Sequence, residues 1–162
     1  MELQSTLQAI QDTRLAALIR ESGSAFPALE SLHVIGIALV FGTILIVDLR
    51  LLGRASHRRS AHRLIQELLP YTWMAFAVCV LTGVLMFISN ATGYVENRLF
   101  WWKMGVIALA GVNMGIFHGG AYRRIHEWDT SPTPPGPARL AGFSSMALWT
   151  GVVVLGRWIG FV

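Results

Sequence analysis

Glu30, His33, Asp48, Lys103, Asn113, His118 and Arg157 interrupt runs of apolar residues long enough to cross a bilayer. A charged side chain at a helix centre costs about 2.5–3.5 kcal/mol on insertion scales, so such residues turn inward and pair, and by default they mark function. An imidazole projecting into a helical bundle can hold b-type haem, which makes His33 the candidate axial ligand to haem iron. Glu30, one turn earlier, would orient that imidazole or meet a nearby cation. Lys103 and Arg157 would neutralise haem propionates, and Trp149 would pack on a flat cofactor. The plainer reading pairs Glu30 with Lys103 or Arg157, leaves His33 as a hydrogen-bonding member of that network, and treats Trp149 as helix packing.

Depth separates these residues. Asp48 lies 15 residues beyond His33 and His118 lies 15 beyond Lys103, about 22 Å along a helix in each case. Fifteen steps of 100° return to within about 60° of the start, so Glu30, His33 and Asp48 share one half of the first span, and Lys103 and His118 share one half of the third. His33 and His118 therefore cannot ligate one iron. A second axial ligand beside His33 would be Met86 or Met104, although methionine is commonly a packing filler, or the position stays open. His118 would serve a separate inner site, with His62 or His57 as partner, but the latter two sit in an arginine-rich loop where solvation is the ordinary reading. Asp48, Arg50, Asn113 and His118 are expected together near that inner end. Cys79 reads as a small buried apolar side chain.

The elements that must position these groups are four spans, at about 31–52, 71–89, 100–118 and 140–161. Of 162 residues 54% are hydrophobic and 14% charged, against about 25% charged in soluble domains, which excludes a soluble enzyme, a disordered regulator and a disulfide-stapled module. The runs lack the period-two alternation of barrel strands. The fold class is all-α: an integral membrane four-helix bundle over 28–162 with an N-terminal amphipathic helix in an interfacial segment over 1–27, where Leu3, Leu7, Ile10, Arg14 and Leu18 recur at helical spacing; a short soluble helix packed on the bundle is the alternative there. Gly23 and Pro27 would interrupt the chain before the first span, and Ser131 to Pro137 reads as a stiff connector. Gly36, Gly111 and Gly115 would allow close helix approach.

The net charge of +4 does not indicate nucleic acid, because the basic residues flank apolar segments. Arg50, Arg54, Arg58, Arg59, Arg63, Arg123, Arg124 and Arg139 fall on one side, and Arg14, Arg20, Arg98, Lys103 and Arg157 on the other. The positive-inside rule puts the first group in the cytoplasm and both termini in the periplasm of a bacterial inner membrane. The glutamate at position 2 and the missing basic and apolar regions argue against a cleaved leader.

The blocks ESLHVIGIALVFGTILIVDLRLLG, TGVLMFISNATGYVENRLFWWKMGVIALAGVN and LWTGVVVLGRWIGF resemble a family of small bacterial four-span inner-membrane proteins, over nearly all of residues 28–162. More distantly, the helix opening on Leu32 and His33, and TGY followed by FWWK, are similar to the membrane domain of the copper-resistance protein CopD. The same Leu-His helix and the later Trp and Lys resemble the HemJ type of protoporphyrinogen oxidase, which binds b-type haem. That resemblance implies roles for His33 and Lys103; the CopD likeness keeps copper open. DLRLLG departs from the end of the corresponding HemJ helix, and no second outer histidine is apparent.

The leading expectation is thus haem b serving electron transfer or a membrane redox step, with lipid and a membrane redox partner or a second copy of the chain as partners. A copper, ion or small-solute transport protein is the alternative, with Glu30, His33, Asp48, Asn113 and His118 as stations. A structural or assembly subunit, in which the charges only specify packing, is the third.

Overall fold

A computed structural model describes residues 2–55 and 59–161. His57 and Arg58 lie outside the described residues. Two short helices, α1 (Glu2–Gln11) and α2 (Arg14–Glu21), make up the N-terminal segment that precedes the bundle. Thr13 divides them: its extended backbone ends one helix while its hydroxyl accepts from the Ala16 N–H and caps the next.

Four helices are long and apolar enough to cross a membrane, which makes this a multi-pass membrane protein. They are α3 (Ala25–Leu51), α4 (Ala61–Ser89), α6 (Arg98–Gly119) and α8 (Gly136–Trp158), with α5 (Ala91–Glu96) between the second and third. A 3-10 turn (Ala121–Arg124) and α7 (Ile125–Trp128) follow α6. Pro27 falls in the first turn of α3 and Pro137 in the first turn of α8, where a missing N–H costs nothing. The connector is correspondingly shorter than its sequence suggests. Helix α4 begins ten residues before the apolar run and carries Pro70 inside it; its first turns bury Ala61, Leu64 and Ile65 at helical spacing.

Helix α3 packs on α4 and on α8, and α8 packs on α6. Among the described residues no Cα of α4 comes within 8 Å of a Cα of α6. The spans therefore follow the order α4, α3, α8, α6, with a gap between the two ends of the row. Small residues mark the close contacts, as expected where hydrocarbon supplies no hydrophobic drive between helices. A Cβ on Gly36 of α3 would stand 2.7 Å from Sγ of Cys79 on α4, and one on Gly142 of α8 would stand 3.1 Å from the Asp48 carbonyl oxygen on α3. Gly111 and Gly115 face open space instead.

Bulky side chains bridge the α4–α6 gap at both ends. Where α1, α2 and α5 lie, Phe87 of α4 stacks on Phe100 of α6 with centroids 5.7 Å apart, and Tyr94 packs against both. At the arginine-rich end Leu51, Ile65, Phe117, Ile125, Trp128 and Ala138 form the main buried cluster.

Candidate functional site

His33 stands on the face of α3 that meets α4. Its Nδ1 lies 2.8 Å from the Thr82 hydroxyl, and that hydroxyl donates in turn to the Val78 carbonyl at 2.7 Å. Thr82 has one proton and has committed it, so it accepts from Nδ1–H and leaves Nε2 as the free basic nitrogen. Gly83 lets the ring lie close, since a Cβ there would stand 3.4 Å from Cε1. Lys103, whose chain lies along Gly156 of α8, acts electrostatically on both His33 and Cys79.

The other residues expected at this end are spread out. Glu30 is exposed and sits beside Tyr94. The guanidinium of Arg157 lies over the Phe161 ring, 4.7 Å from its centroid. Among the described residues the one ion pair joins Arg63 to Glu67, so Glu30 pairs with neither Lys103 nor Arg157. Met104 is 36% exposed. Trp149 lies deeper, edge-on to Phe76 of α4 at 6.3 Å. No group of three or more His, Cys, Asp or Glu arranged to hold a metal occurs among the described residues.

A second feature is a cavity of about 170 Å³ lined by all four spans. It extends from Val40 to Leu51 along α3, about 16 Å at 1.5 Å per residue. Phe76 and Trp149 bound it toward the His33 end, and Leu51, Phe117 and His118 bound it toward the arginine-rich end. Trp73 and Met114 line it from α4 and α6, yet are 49% and 39% exposed. These two residues flank the gap between α4 and α6, so the cavity communicates with the lipid-facing surface there.

Its polar groups are few, and Asp48 is foremost. Asp48 is 3% exposed; the Ser145 hydroxyl of α8 lies beside its carboxyl, while Oδ2 is buried without a partner. Asn113 spends its amide nitrogen on the Ala141 carbonyl at 3.0 Å. Nδ1 of His118 donates to the Met114 carbonyl at 2.9 Å, leaving Nε2 as the basic nitrogen. Asp48, Asn113 and His118, expected at one depth, all line this space. His118 and His62 do not meet directly: Tyr122 stands between them, its ring 4.9 Å from His118 and its hydroxyl 3.2 Å from Nδ1 of His62.

Arg50 turns the opposite way from Asp48, as two residues at i and i+2 on a helix must. It is buried, donates from Nε to the Arg59 carbonyl at 3.0 Å and from Nη2 to the carbonyls of Asp129 at 2.7 Å and Ser131 at 3.2 Å. Asp129 in turn caps α4: its Oδ1 accepts from the His62 N–H at 2.7 Å and its carbonyl from the Ala61 N–H at 3.1 Å. Burial alone would raise the Asp129 carboxyl. The His62 N–H, the Ser60 hydroxyl and the His62 and Arg50 charges outweigh it and hold the group below the ordinary carboxylate range. This lock secures the end of the cavity, and Gly53 completes it. The residue has φ +68°, and a Cβ there would stand 2.8 Å from the Pro132 carbonyl oxygen.

The partners Thr82 and Ser145 and the lock built on Arg50 carry no sequence signal of their own, since ordinary span-lining hydroxyls and a flanking arginine look the same on paper. A family model described as a family of unknown function (DUF6644) matches residues 15–162, and the chain belongs to that family. No curated protein and no solved structure matches the chain.

Proposed function

We propose, since membership of that family assigns no reaction, that this membrane protein takes up a lipid-soluble small molecule from the bilayer into the cavity between its four spans. The observation that carries the reading is the cavity itself, lined by apolar groups, holding a buried unpaired carboxyl oxygen and opening toward lipid between α4 and α6. Close-packed interiors leave few voids larger than a water molecule. The orientation that goes with this reading has both termini in the periplasm of a bacterial inner membrane, by the excess of basic residues around the loops that follow α3 and α6.

Trp73 and Trp149 line the space and serve as reporters. In detergent, 4-bromo-decylbenzene is expected to quench tryptophan fluorescence saturably, with much of the quenching lost in Trp149→Phe. Gly111 lines the cavity and has nothing within 4 Å of a Cβ position, so Gly111→Leu is expected to fold and to abolish the saturable phase. Linear, unsaturable quenching in the unaltered protein, the same in all three, refutes the proposal.

A haem-b redox protein is the second reading, favoured by the Nδ1–Thr82 bond that leaves Nε2 of His33 free to ligate. His33 would hold the iron and Lys103 would face a propionate, and the group when bound supplies one-electron chemistry. Thr82 orients the imidazole and raises its basicity. An absorption spectrum of protein from haem-replete cells tests it: a Soret band lost in His33→Ala supports the reading, and no band, or an unchanged one in the variant, refutes it.

A further inference from the structure

We infer that the ligand of this cavity bears a hydroxyl on a single ring, a phenol or hydroquinone with an apolar tail, recognised by the Asp48 carboxyl. The inference rests on the proposed uptake of a lipid-soluble molecule and adds its chemical class.

Size sets the head group. An engineered cavity of about 150 Å³ accepts benzene, and the space here is about 170 Å³, so one ring fits. Trp73, Phe76, Phe117 and Trp149 line it and supply the faces and edges against which an aromatic ring packs at centroid distances of about 4.5–7 Å.

The polar requirement comes from Asp48. Its carboxyl is 3% exposed and sits where α3 and α8 cross closely, with a Cβ on Gly142 only 3.6 Å from the Asp48 Cα. The Ser145 hydroxyl lies beside the carboxyl, and Oδ2 has no partner. A buried polar atom left unpaired costs about 1–3 kcal/mol, more when charged. A hydrocarbon or acyl chain in the cavity leaves that cost in place. A hydroxyl removes it in either protonation state of the acid, because a hydroxyl donates to a carboxylate and accepts from a carboxylic acid. The Asn113 carbonyl oxygen and Nε2 of His118, neither used within the chain among the described residues, are the other groups on the cavity wall able to meet a second ring oxygen. The tail leaves between Trp73 and Met114, the exposed pair at the α4–α6 gap.

The test is displacement of bound 4-bromo-decylbenzene from the detergent-solubilised protein by 4-decylphenol or by decylbenzene, which differ only in the hydroxyl. One hydrogen bond to a carboxyl predicts displacement by the phenol at a concentration about tenfold lower or better. Asp48→Asn is expected to shrink that preference severalfold, and Ser145→Ala, which keeps the carboxyl and only removes its internal partner, to preserve or enlarge it. The phenol's methyl ether, which cannot donate, is expected to behave like decylbenzene toward an ionised Asp48. If the brominated compound binds saturably and phenol and hydrocarbon displace it equally in the unaltered protein, the hydroxyl-recognition inference fails while ligand uptake stands. If it does not bind saturably, the uptake reading fails and takes this inference with it. Should Asp48→Asn fail to fold, the phenol-to-hydrocarbon contrast in the unaltered protein and in Ser145→Ala decides the matter.

Discussion

Deleting the guanidinium of Arg50 is expected to loosen the whole arginine-rich end of the bundle. The side chain is 1% exposed and makes three hydrogen bonds to carbonyls that no other side chain of the described chain reaches: Arg59, Asp129 and Ser131. Arg50→Met keeps an unbranched side chain and removes all three donors. A hydrogen bond from a charged group contributes about 1.5–3 kcal/mol, so three independent bonds would give about 4.5–9 kcal/mol. Two effects reduce that sum. The bonds share one side chain and do not add, and Nη1, buried with no partner, already carries a desolvation cost that methionine abolishes. A loss of about 3–5 kcal/mol remains, the size of effect found when one member of a buried charged network is deleted. For a chain of this length 1 kcal/mol moves a thermal midpoint by about 2–4 °C, which gives a fall of about 6–20 °C. Thermal unfolding in mild detergent, followed by circular dichroism, reads it. Arg50→Lys should lie between, because a compact ammonium cannot span three carbonyls as a planar fork does. A midpoint for Arg50→Met within about 2 °C of the unaltered protein would show that these carbonyls find water or other donors, and would refute the assignment of Arg50 as the clamp.

Gly36→Ala drives a methyl against Sγ of Cys79, 2.7 Å from the new Cβ, and should cost about 1–3 kcal/mol; Cys79→Ala on the same chain removes the offending sulfur and should restore most of the loss, as a double-mutant cycle of thermal midpoints would read. Asp129, whose folded-state carboxyl titrates below the ordinary value, contributes stability that is complete above the unfolded value of about 3.9 and is lost as pH falls through the lower folded value. Asp129→Asn should therefore flatten the acid limb of a stability-against-pH curve, and a limb of unchanged slope would count against the capping role. Burial and, second, the nearby Glu30 carboxylate push the Tyr94 phenol above its usual range. Glu30→Gln should bring its ultraviolet titration partway back and leave the burial contribution intact.

The four spans were legible because runs of bilayer length have few other readings, and a rise of 1.5 Å per residue was enough to put Asp48, Asn113 and His118 at one level. The start of α4 was not legible. Residues 61–70 read AHRLIQELLP, broken by His62, Arg63, Gln66 and Glu67 and ending in proline, so they fall outside the apolar run until α7 and the end of α6 supply a surface for Ala61, Leu64 and Ile65. Arg50 counted as one of several loop arginines, because its burial depends on where the Asp129 and Ser131 carbonyls come to rest about 80 positions later. The partner of His33 was hidden for a related reason. Thr82 becomes its acceptor only because α3 and α4 meet through Gly36 and Cys79, and the order in which spans neighbour one another is not written in the hydropathy of any of them.

The void follows from where this chain puts small and large residues. Gly36 and Gly142 bring α3 against α4 and α8 at contacts too close for a Cβ without adjustment. The rings of Phe87 and Phe100 bridge α4 and α6 at one end, and Ile65 and Phe117 fill between them at the other. Between these fixed points the outer helices of the row have nothing to close on. Drawing α4 toward α6 would require displacing the aromatic bridge or the buried cluster, and breaking the Arg50–Asp129 lock that ties the start of α4 to the chain beyond α6. The space is therefore held open by packing on either side of it. A ligand entering from the bilayer meets walls already in position, so the ordering cost of binding falls mainly on the ligand, and affinity becomes sensitive to the buried oxygen that the walls leave unpaired, Oδ2 of Asp48.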